Sequence, residues 1–405
     1  MPETLGSGSV DERQQCRHRH RRARGSSFVS ERTERRANHD RPRRARRTDL
    51  DRDMSAAAKE FGVFLPIGNG GWMISRSAPH PEATYAYNRR VALDAEAIGL
   101  DFIMSMAKWK GFGGSTDHWG RTLESMTMMS ALAEATSTVD IWATVHANVF
   151  HPALAAKMFT TLQDVSGGRA GMNIVNGSYA DEFAQMGLWD PDLSHDERYR
   201  MTEEWLIAVM RLWTEDKVTM KGDFFTLQEC ESRPHPADRP TLISAGRSER
   251  GREFQARYAD GAFLSADDLR QMRDYSRSVH DRAADFGRAV KTYSMLTVVL
   301  DETDAAAAAK AAHYAEGLDK VALAGMRASW GIPLDAARDW AEGATGEEAF
   351  QTAYVTGGPE TITEHIQHIM TTAELDGLML IFPDYHTDII PFGESVLPAL
   401  RQGFA

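Results

Sequence analysis

Two short stretches carry the residue types that hold an anion. "HDERYRMTEEW" places Arg198 and Tyr199 at the opening of a helical pattern, and "SAGRSERG" leads Gly246, Arg247 and Ser248 from an apolar run into another. Backbone N–H groups at a helix start, a serine hydroxyl and an arginine together suit a phosphate monoester. Taken singly, each stretch reads better as an N-cap beside a solvated arginine. Together, on one face, they point to a phosphorylated cofactor or substrate. Further polar groups stand where apolar runs end. "MSMAKWKGFGG" offers Ala107, Lys108 and Trp109; "ATVHANVFHP" offers His146, Asn148 and His151; "NIVNGSYADEF" offers Asn173, Asn176 and Glu182. His146 and His151 lack a third ligand at metal-like spacing, so no metal site is expected. There is no Ser-His-Asp set, and neither Cys16 nor Cys230 sits in a nucleophile's context.

"FGVFLPIGNGGWMIS", residues 61–75, raises another possibility, because a glycine-rich turn after a strand is how dinucleotide sites begin. That fingerprint needs G-x-G-x-x-G with a helix starting inside it. Pro79 and Pro81 oppose an early helix, and helical periodicity resumes only at Tyr85. The expectation is a strand, a long exposed loop and then a helix, the glycines serving backbone mobility.

The elements that must position these groups alternate along the chain. Strand-length apolar runs are "FGVFLPI", "DFIMSM", "VDIWATVHA", "AGMNIV", "PTLISAG", "GAFLSA", "TYSMLTVVL" and "DGLMLIFPD". Helical patterns cover 85–98, 122–136, 153–165, 198–213, 249–259 and 267–286, followed by a multi-helix segment over 304–373 and a last helix over 394–402. Continuous apolar strands separated by helices mean a parallel sheet covered on its faces. Eight such units suit an α/β fold of the (β/α)8 TIM-barrel type with insertions, with a doubly wound sheet as the alternative that periodicity leaves open. In a barrel the groups named above fall at strand ends, where chemistry is built. The methionines of "ESMTMMSALAEATS" lie at helical spacing and read as core.

With 405 residues, 42% of them hydrophobic, the chain can bury one large core. Two cysteines exclude a disulfide framework and fit a reducing cytoplasm. No apolar run approaches the ~18 residues of a membrane span, and there is no secretory signal pattern. Charge is unevenly placed: residues 1–53 hold 15 arginines, no lysine and 9 acids, whereas the remainder holds 31 basic and 49 acidic residues. An arginine-rich arm could bind nucleic acid, but its want of apolar residues marks a disordered extension. Met54 stands just before "SAAAKEFGVFLPI", so 1–53 reads as an extension from an upstream start codon and 54–405 as the barrel.

In this order the motifs resemble the bacterial-luciferase-like flavin monooxygenases, from about Phe61 to the C-terminus. The informative strings are "FGVFLPIGNGGWMIS", "GFGG…W…LES", "SGGR…NIV.G", "EF.QMG.W", "RY…TE" and "KGDFFT". "PIGNGGW" and "KGFGG" are similar to the pyrimidine branch, while "HDERYR…EE" and "LWTED" also look like the dimethyl-sulfone and alkanesulfonate enzymes. The resemblance implies a luciferase-like barrel using reduced FMN (FMNH2) from a separate NAD(P)H-dependent flavin reductase, together with O2. It further implies a small-molecule substrate with a C–N or C–S bond, a homo-oligomer, and no nucleic-acid or membrane partner. FMN contacts carry over to Ala107 and Lys108 after strand two, Asn173 after strand four, Glu182 in the next loop, and Arg198, Tyr199 and Ser248 at the phosphate end. "VHANVF" departs from the uracil enzymes, which carry smaller hydroxyl or aliphatic residues there. His146 and Asn148 are therefore the catalytic candidates at the substrate end, His146 as a proton donor or substrate anchor, or else a packed neutral histidine.

Two rival functions use the same features: a flavin-free phosphate-ester barrel enzyme, and a non-catalytic flavin-binding protein. The charge break yields a first prediction. A chain starting at Met54 should melt and turn over like the full one, and a large loss of either would make the arginine-rich segment part of the working protein.

Overall fold

The structure is a computed structural model that describes residues 58–177, 179–264 and 268–404. The expectations for residues 1–53 and for the start at Met54 lie outside the described residues. In chain order the strands and helices run β1 (Glu60–Phe64), α1 (Tyr85–Ala97), β2 (Phe102–Met104), α2 (Ser125–Ala135), β3 (Asp140–His146), α3 (Pro152–Val165), β4 (Ala170–Val175), α4 (Ala180–Ala184), α5 (His195–Leu212), β5 (Val218–Lys221) and β6 (Thr226–Cys230). They continue with β7 (Thr241–Ala245), α6 (Glu249–Tyr258), β8 (Gly261–Leu264), α7 (Leu269–Asp285), β9 (Lys291–Leu300), α8 (Asp304–Glu316), α9 (Lys320–Ser329), α10 (Leu334–Glu342), β10 (Tyr354–Gly357), α11 (Pro359–Thr372), β11 (Gly377–Ile381), α12 (Tyr385–Ser395) and α13 (Leu397–Gly403).

Strands β1, β2, β3, β4, β7, β8, β9 and β11 join in that order through parallel ladders, and β11 pairs back with β1. This closed eight-stranded barrel with helices between strands is a (β/α)8 fold, so the doubly wound alternative falls. Its strands are buried along nearly their whole length, which is why they read as unbroken apolar runs.

Three aromatic rings plug the N-terminal end of the barrel. Phe102 and Trp142 stack 3.8 Å apart, and Tyr293 meets both edge-on at 5.6 Å. The neighbouring strands leave room with glycines in register: Gly62 opposite Phe102, Gly171 opposite Trp142, Gly377 opposite Tyr293. A β-carbon at Gly62 would lie 2.2 Å from the Phe102 ring, and one at Gly171 2.3 Å from Trp142. Large and small residues thus interlock at one end, leaving the other end for chemistry.

At that other end the first two βα loops hold each other. Asn69 is 6% exposed; its Nδ2 donates to the carbonyls of Asp117 (2.7 Å) and Thr116 (3.4 Å), and its Oδ1 accepts from Arg121 N (2.8 Å). Trp119 Nε1 donates to Gly71 O at 2.6 Å. Gly70 and Gly71 adopt positive φ, 80° and 57°, to make this turn. Residues 65–75 are buried throughout, so the expected exposed, mobile loop is instead a packed one, because its backbone is shared with the loop after β2. From the helical insertion, Asp319 Oδ2 accepts from Ser115 Oγ (2.9 Å) and Thr116 N (2.8 Å) while its Oδ1 caps α9. Burial alone would raise that carboxyl, yet the bonds from Thr116, Ser115 and Ala322 hold it below its ordinary range.

Three further elements differ from the sequence reading. The hairpin β5–β6 went unread because its residues are mostly polar and half-exposed; Glu204 of α5 anchors its turn by accepting from Asp223 N, Phe224 N and Phe225 N. β10 lies inside the segment read as helices and extends β9 beyond the barrel. α12 forms despite Pro391 within it. Among the described residues no helix is long and apolar enough to cross a membrane. Asn69→Ala should cost about 1–3 kcal/mol, since it leaves buried carbonyls and an N–H unpaired. A urea midpoint equal to that of the unmodified chain would show that the loops are held elsewhere.

Candidate active site

The strand ends bring most of the sequence candidates to one mouth. Lys108 and Glu182, 74 residues apart, form an ion pair at 3.1 Å with side chains 3% and 1% exposed. The other oxygen of Glu182 accepts from Trp109 N and, at 3.3 Å, from Lys110 N. The ammonium of Lys108 lies 3.9 Å from the Tyr179 ring centre and 4.6 Å from that of Phe112. Desolvation lowers its pKa, a shift that Glu182 opposes. Glu182 reaches this position on α4, a short helix directly after the β4 strand end. Ala107, half-buried, immediately precedes Lys108.

Thr144 and Asn173 are register partners on β3 and β4, and Asn173 Nδ2 donates to Thr144 Oγ1 at 2.9 Å. Thr144 Oγ1 in turn donates to Ser105 O, and its backbone N–H donates to Ser125 Oγ at 3.0 Å. The amide of Asn173 is thereby aimed, while its Oδ1 is buried with no hydrogen-bond partner among the described residues. Such an orphan acceptor costs free energy unless a ligand N–H meets it. Two residues along β3 from Thr144, on the same face, His146 accepts from Trp109 Nε1 through Nδ1 at 3.4 Å and takes the edge of Phe183 at 5.0 Å.

A second cluster lies where α5 and α6 begin. The α5 start is fixed by a capping box, Ser194 Oγ accepting from Glu197 N (3.3 Å) and Glu197 Oε2 from Ser194 N (2.9 Å). Tyr199 is buried, which raises its phenol pKa, and side-chain hydrogen bonds with Ser248 and Asn176 offset part of that rise. Ser248 is the N-cap of α6 and accepts from Gly251 N at 3.0 Å. A β-carbon at Gly246 or Gly251 would lie 2.4 or 2.6 Å from the Tyr199 hydroxyl, so glycine backbone packs directly on it. The first-turn N–H groups of Glu249 and Arg250 find no acceptor among the described residues. Glu249, the acid nearest this helix start, is paired with Arg252 and Arg282.

Arg198 has contacts of its own. Its Nη1 donates to Leu193 O at 2.7 Å and its guanidinium lies 4.9 Å from the Trp189 ring centre. It lines a cleft of about 450 Å³ shared with Asn148, Phe150, His151, Phe224 and Phe225, and not with Tyr199 or Ser248. Asn148 Oδ1 there is buried and unpartnered among the described residues. Residues that the sequence reading passed over include Thr144, Ser105, Ser125, Phe112 and Tyr179. Thr144 was recoverable from the two-residue period of β3; nothing local marked Tyr179 as the ring over Lys108.

A parallel barrel with an aimed amide, a buried ion pair and an anion-ready helix start at one mouth defines a (β/α)8 enzyme. The profile of the family described as luciferase-like monooxygenase matches residues 59–374. The pyrimidine monooxygenase RutA of Methylorubrum extorquens is 35% identical over 355 residues, covering 84% of this chain and 96% of the relative. That of Variovorax paradoxus is 33% identical over 354 residues, covering 84% and 94%. Among solved structures, a riboflavin lyase with modified FMN and riboflavin superposes with TM-score 0.76 at 22% identity, over 86% of this chain and 93% of that one. DmoA from Hyphomicrobium sulfonivorans does so with TM-score 0.72 at 20% identity, over 86% and 89%. The chain belongs to the luciferase-like monooxygenase family and is a flavin-dependent monooxygenase.

Breaking the buried pair tests its weight. Glu182→Gln leaves the Lys108 charge unpaired and should cost about 3–5 kcal/mol of stability. Adding Lys108→Met should recover at least half of that loss in chemical denaturation. Equal stabilities of the single and double variants would contradict the pairing.

Proposed function

We propose that this monooxygenase uses reduced FMN and O2, with a separate NAD(P)H-dependent flavin reductase supplying FMNH2, to oxygenate a small polar molecule with a C–N or C–S bond. A pyrimidine or similar amide is favoured, in line with the activity named for the relatives of about one-third identity. The observation that carries the cofactor reading is the Tyr199–Ser248–Asn176 cluster at the start of α6, with unpaired first-turn N–H groups and glycine backbone on the tyrosine hydroxyl. These donors fit a phosphate monoester. The orphan Oδ1 of Asn173 fits an N–H of the flavin ring system, and Ala107, Lys108 and Glu182 border the same mouth.

When bound, reduced FMN supplies the activation of O2. The chain's own residues then have distinct tasks. Ser248, Tyr199 and the α6 start hold the anionic end. Thr144 keeps the Asn173 amide oriented, and Glu182 fixes the β2 loop. Phe112, Tyr179 and Phe183 exclude water, which strengthens polar contacts within. His146 and Asn148, at the end of β3, face the substrate.

One observation favours a sulfonate- or sulfone-type substrate instead. Arg198 has no carboxylate partner among the described residues and shares an aromatic-lined cleft with the unpartnered Asn148 oxygen. That combination would accept an anionic head group.

Ser248→Ala combined with Tyr199→Phe should weaken FMN binding at least about tenfold, charge-assisted hydrogen bonds being worth roughly 1.5–3 kcal/mol each. Arg198→Ala alone should leave FMN affinity within about threefold. With uracil, a flavin reductase and labelled O2, one labelled oxygen atom should enter the product. Unchanged FMN affinity in the folded double variant would move the phosphate elsewhere. An unlabelled uracil together with a labelled alkanesulfonate product would favour the second reading.

A further inference from the structure

We infer that His146 is a neutral hydrogen-bond donor of fixed tautomer, bare at Nδ1 and protonated at Nε2, and that it selects substrates presenting an acceptor oxygen such as a lactam or amide carbonyl. The inference rests on the proposed reading that the end of β3 lines the substrate side of the site.

The tautomer follows from the partner. An indole N–H can only donate, so Trp109 Nε1 pointing at Nδ1 over 3.4 Å requires a lone pair there. The single imidazole proton then belongs to Nε2, which makes no hydrogen bond among the described residues, the ring's bond being at Nδ1. Trp109 itself is held at both ends of its backbone. Its N–H donates to Glu182, and its carbonyl accepts from Gln185 Nε2 at 2.9 Å. The Phe183 edge fixes the ring of His146 in turn. The donor is therefore aimed by three residues of α4 and its C-cap, and none of them supplies an acceptor to Nε2.

Burial and a neighbouring charge keep the ring neutral. His146 is 5% exposed. The charged group beside it is Lys108, from the β2 loop, whose carboxylate partner Glu182 comes from α4; Lys110 and Asp181 pair with each other further out. Burial, and then the Lys108 charge, push the His146 pKa down to about 3. A ring held neutral in this way offers an N–H and is no imidazolium acid at neutral pH. On this inference the residue anchors the substrate and does not act as a proton donor. A site that hydrogen-bonds a substrate oxygen rejects the analogue lacking it, because the N–H is then left unpaired.

The test uses the full chain labelled with 15N-histidine and long-range 1H–15N correlation spectra, with His146→Gln identifying the His146 signal. The expected signal has an unprotonated Nδ1 and a protonated Nε2, unchanged from pH 5.5 to 8. Trp109→Phe should convert it to a tautomer mixture. A protonated Nδ1, or titration within that window, overturns the inference. For selection, kcat/KM on uracil with reductase-generated FMNH2 should fall ten- to a hundredfold in His146→Leu, mainly through KM. It should return to within about threefold in His146→Gln, which keeps an N–H donor, and no limb of the pH profile should be lost in either variant. Equal losses in both variants, or a lost limb, would make the residue structural or acid–base and sink the proposal. Absence of uracil turnover by the unmodified enzyme would overturn the substrate half together with the proposed function, whereas a wrong tautomer overturns this inference alone.

Discussion

The carboxylate of Glu182 accepts the Lys108 ammonium with one oxygen and two consecutive backbone N–H groups of the β2 loop with the other. Much of the barrel mouth depends on that arrangement. It compensates a buried cation, sets the path of the chain through Trp109, and so places the indole that fixes His146. The cost of leaving either ion alone in this environment is several kcal/mol, which makes the pair a strict geometric condition. Tyr179 and Phe112 close over the ammonium, so the pair also organises the aromatic wall.

That condition can be met only because the surrounding loops are not free. Asn69 ties the glycine-rich turn after β1 to the loop after β2, and Asp319 ties the latter to the helical insertion before β10. At the opposite end, interlocked rings and glycines fill the barrel. The barrel is thus filled below and laced together above. The proposed anion site at the α6 start and the oriented amide on β4 follow the strand ends, which is where a barrel builds its chemistry.

How far this was legible in sequence follows from range. The eight barrel strands are buried on both faces and announced themselves as apolar runs, and α1 began at Tyr85 as its periodicity requires. Helix α12 was hidden by Pro391, and the β5–β6 hairpin by its polar residues, whose turn is held by Glu204 from another element. The same distinction holds at the site. Lys108, His146, Asn173 and Glu182 could be named because they stand at strand ends. That Glu182 would reach back 74 residues to Lys108, or that Trp109 would set the tautomer of His146, is a matter of tertiary packing that no local pattern encodes. Arg198 and Tyr199, adjacent in sequence, show the same limit: one donates to Leu193 O beside the Trp189 ring and the other bonds with Ser248 and Asn176, partners that no local pattern names.

In the proposed arrangement one mouth holds a flavin by its phosphate at Tyr199 and Ser248 and by its ring beside Asn173 and Lys108. A crystal structure of the protein soaked with FMN measures this directly. Phosphate density is expected within hydrogen-bond distance of Ser248 and the Tyr199 hydroxyl, with a ring N–H on Asn173 Oδ1. A phosphate seated on Arg198 between Trp189 and Phe224, with Asn173 Oδ1 left unpaired, would contradict it.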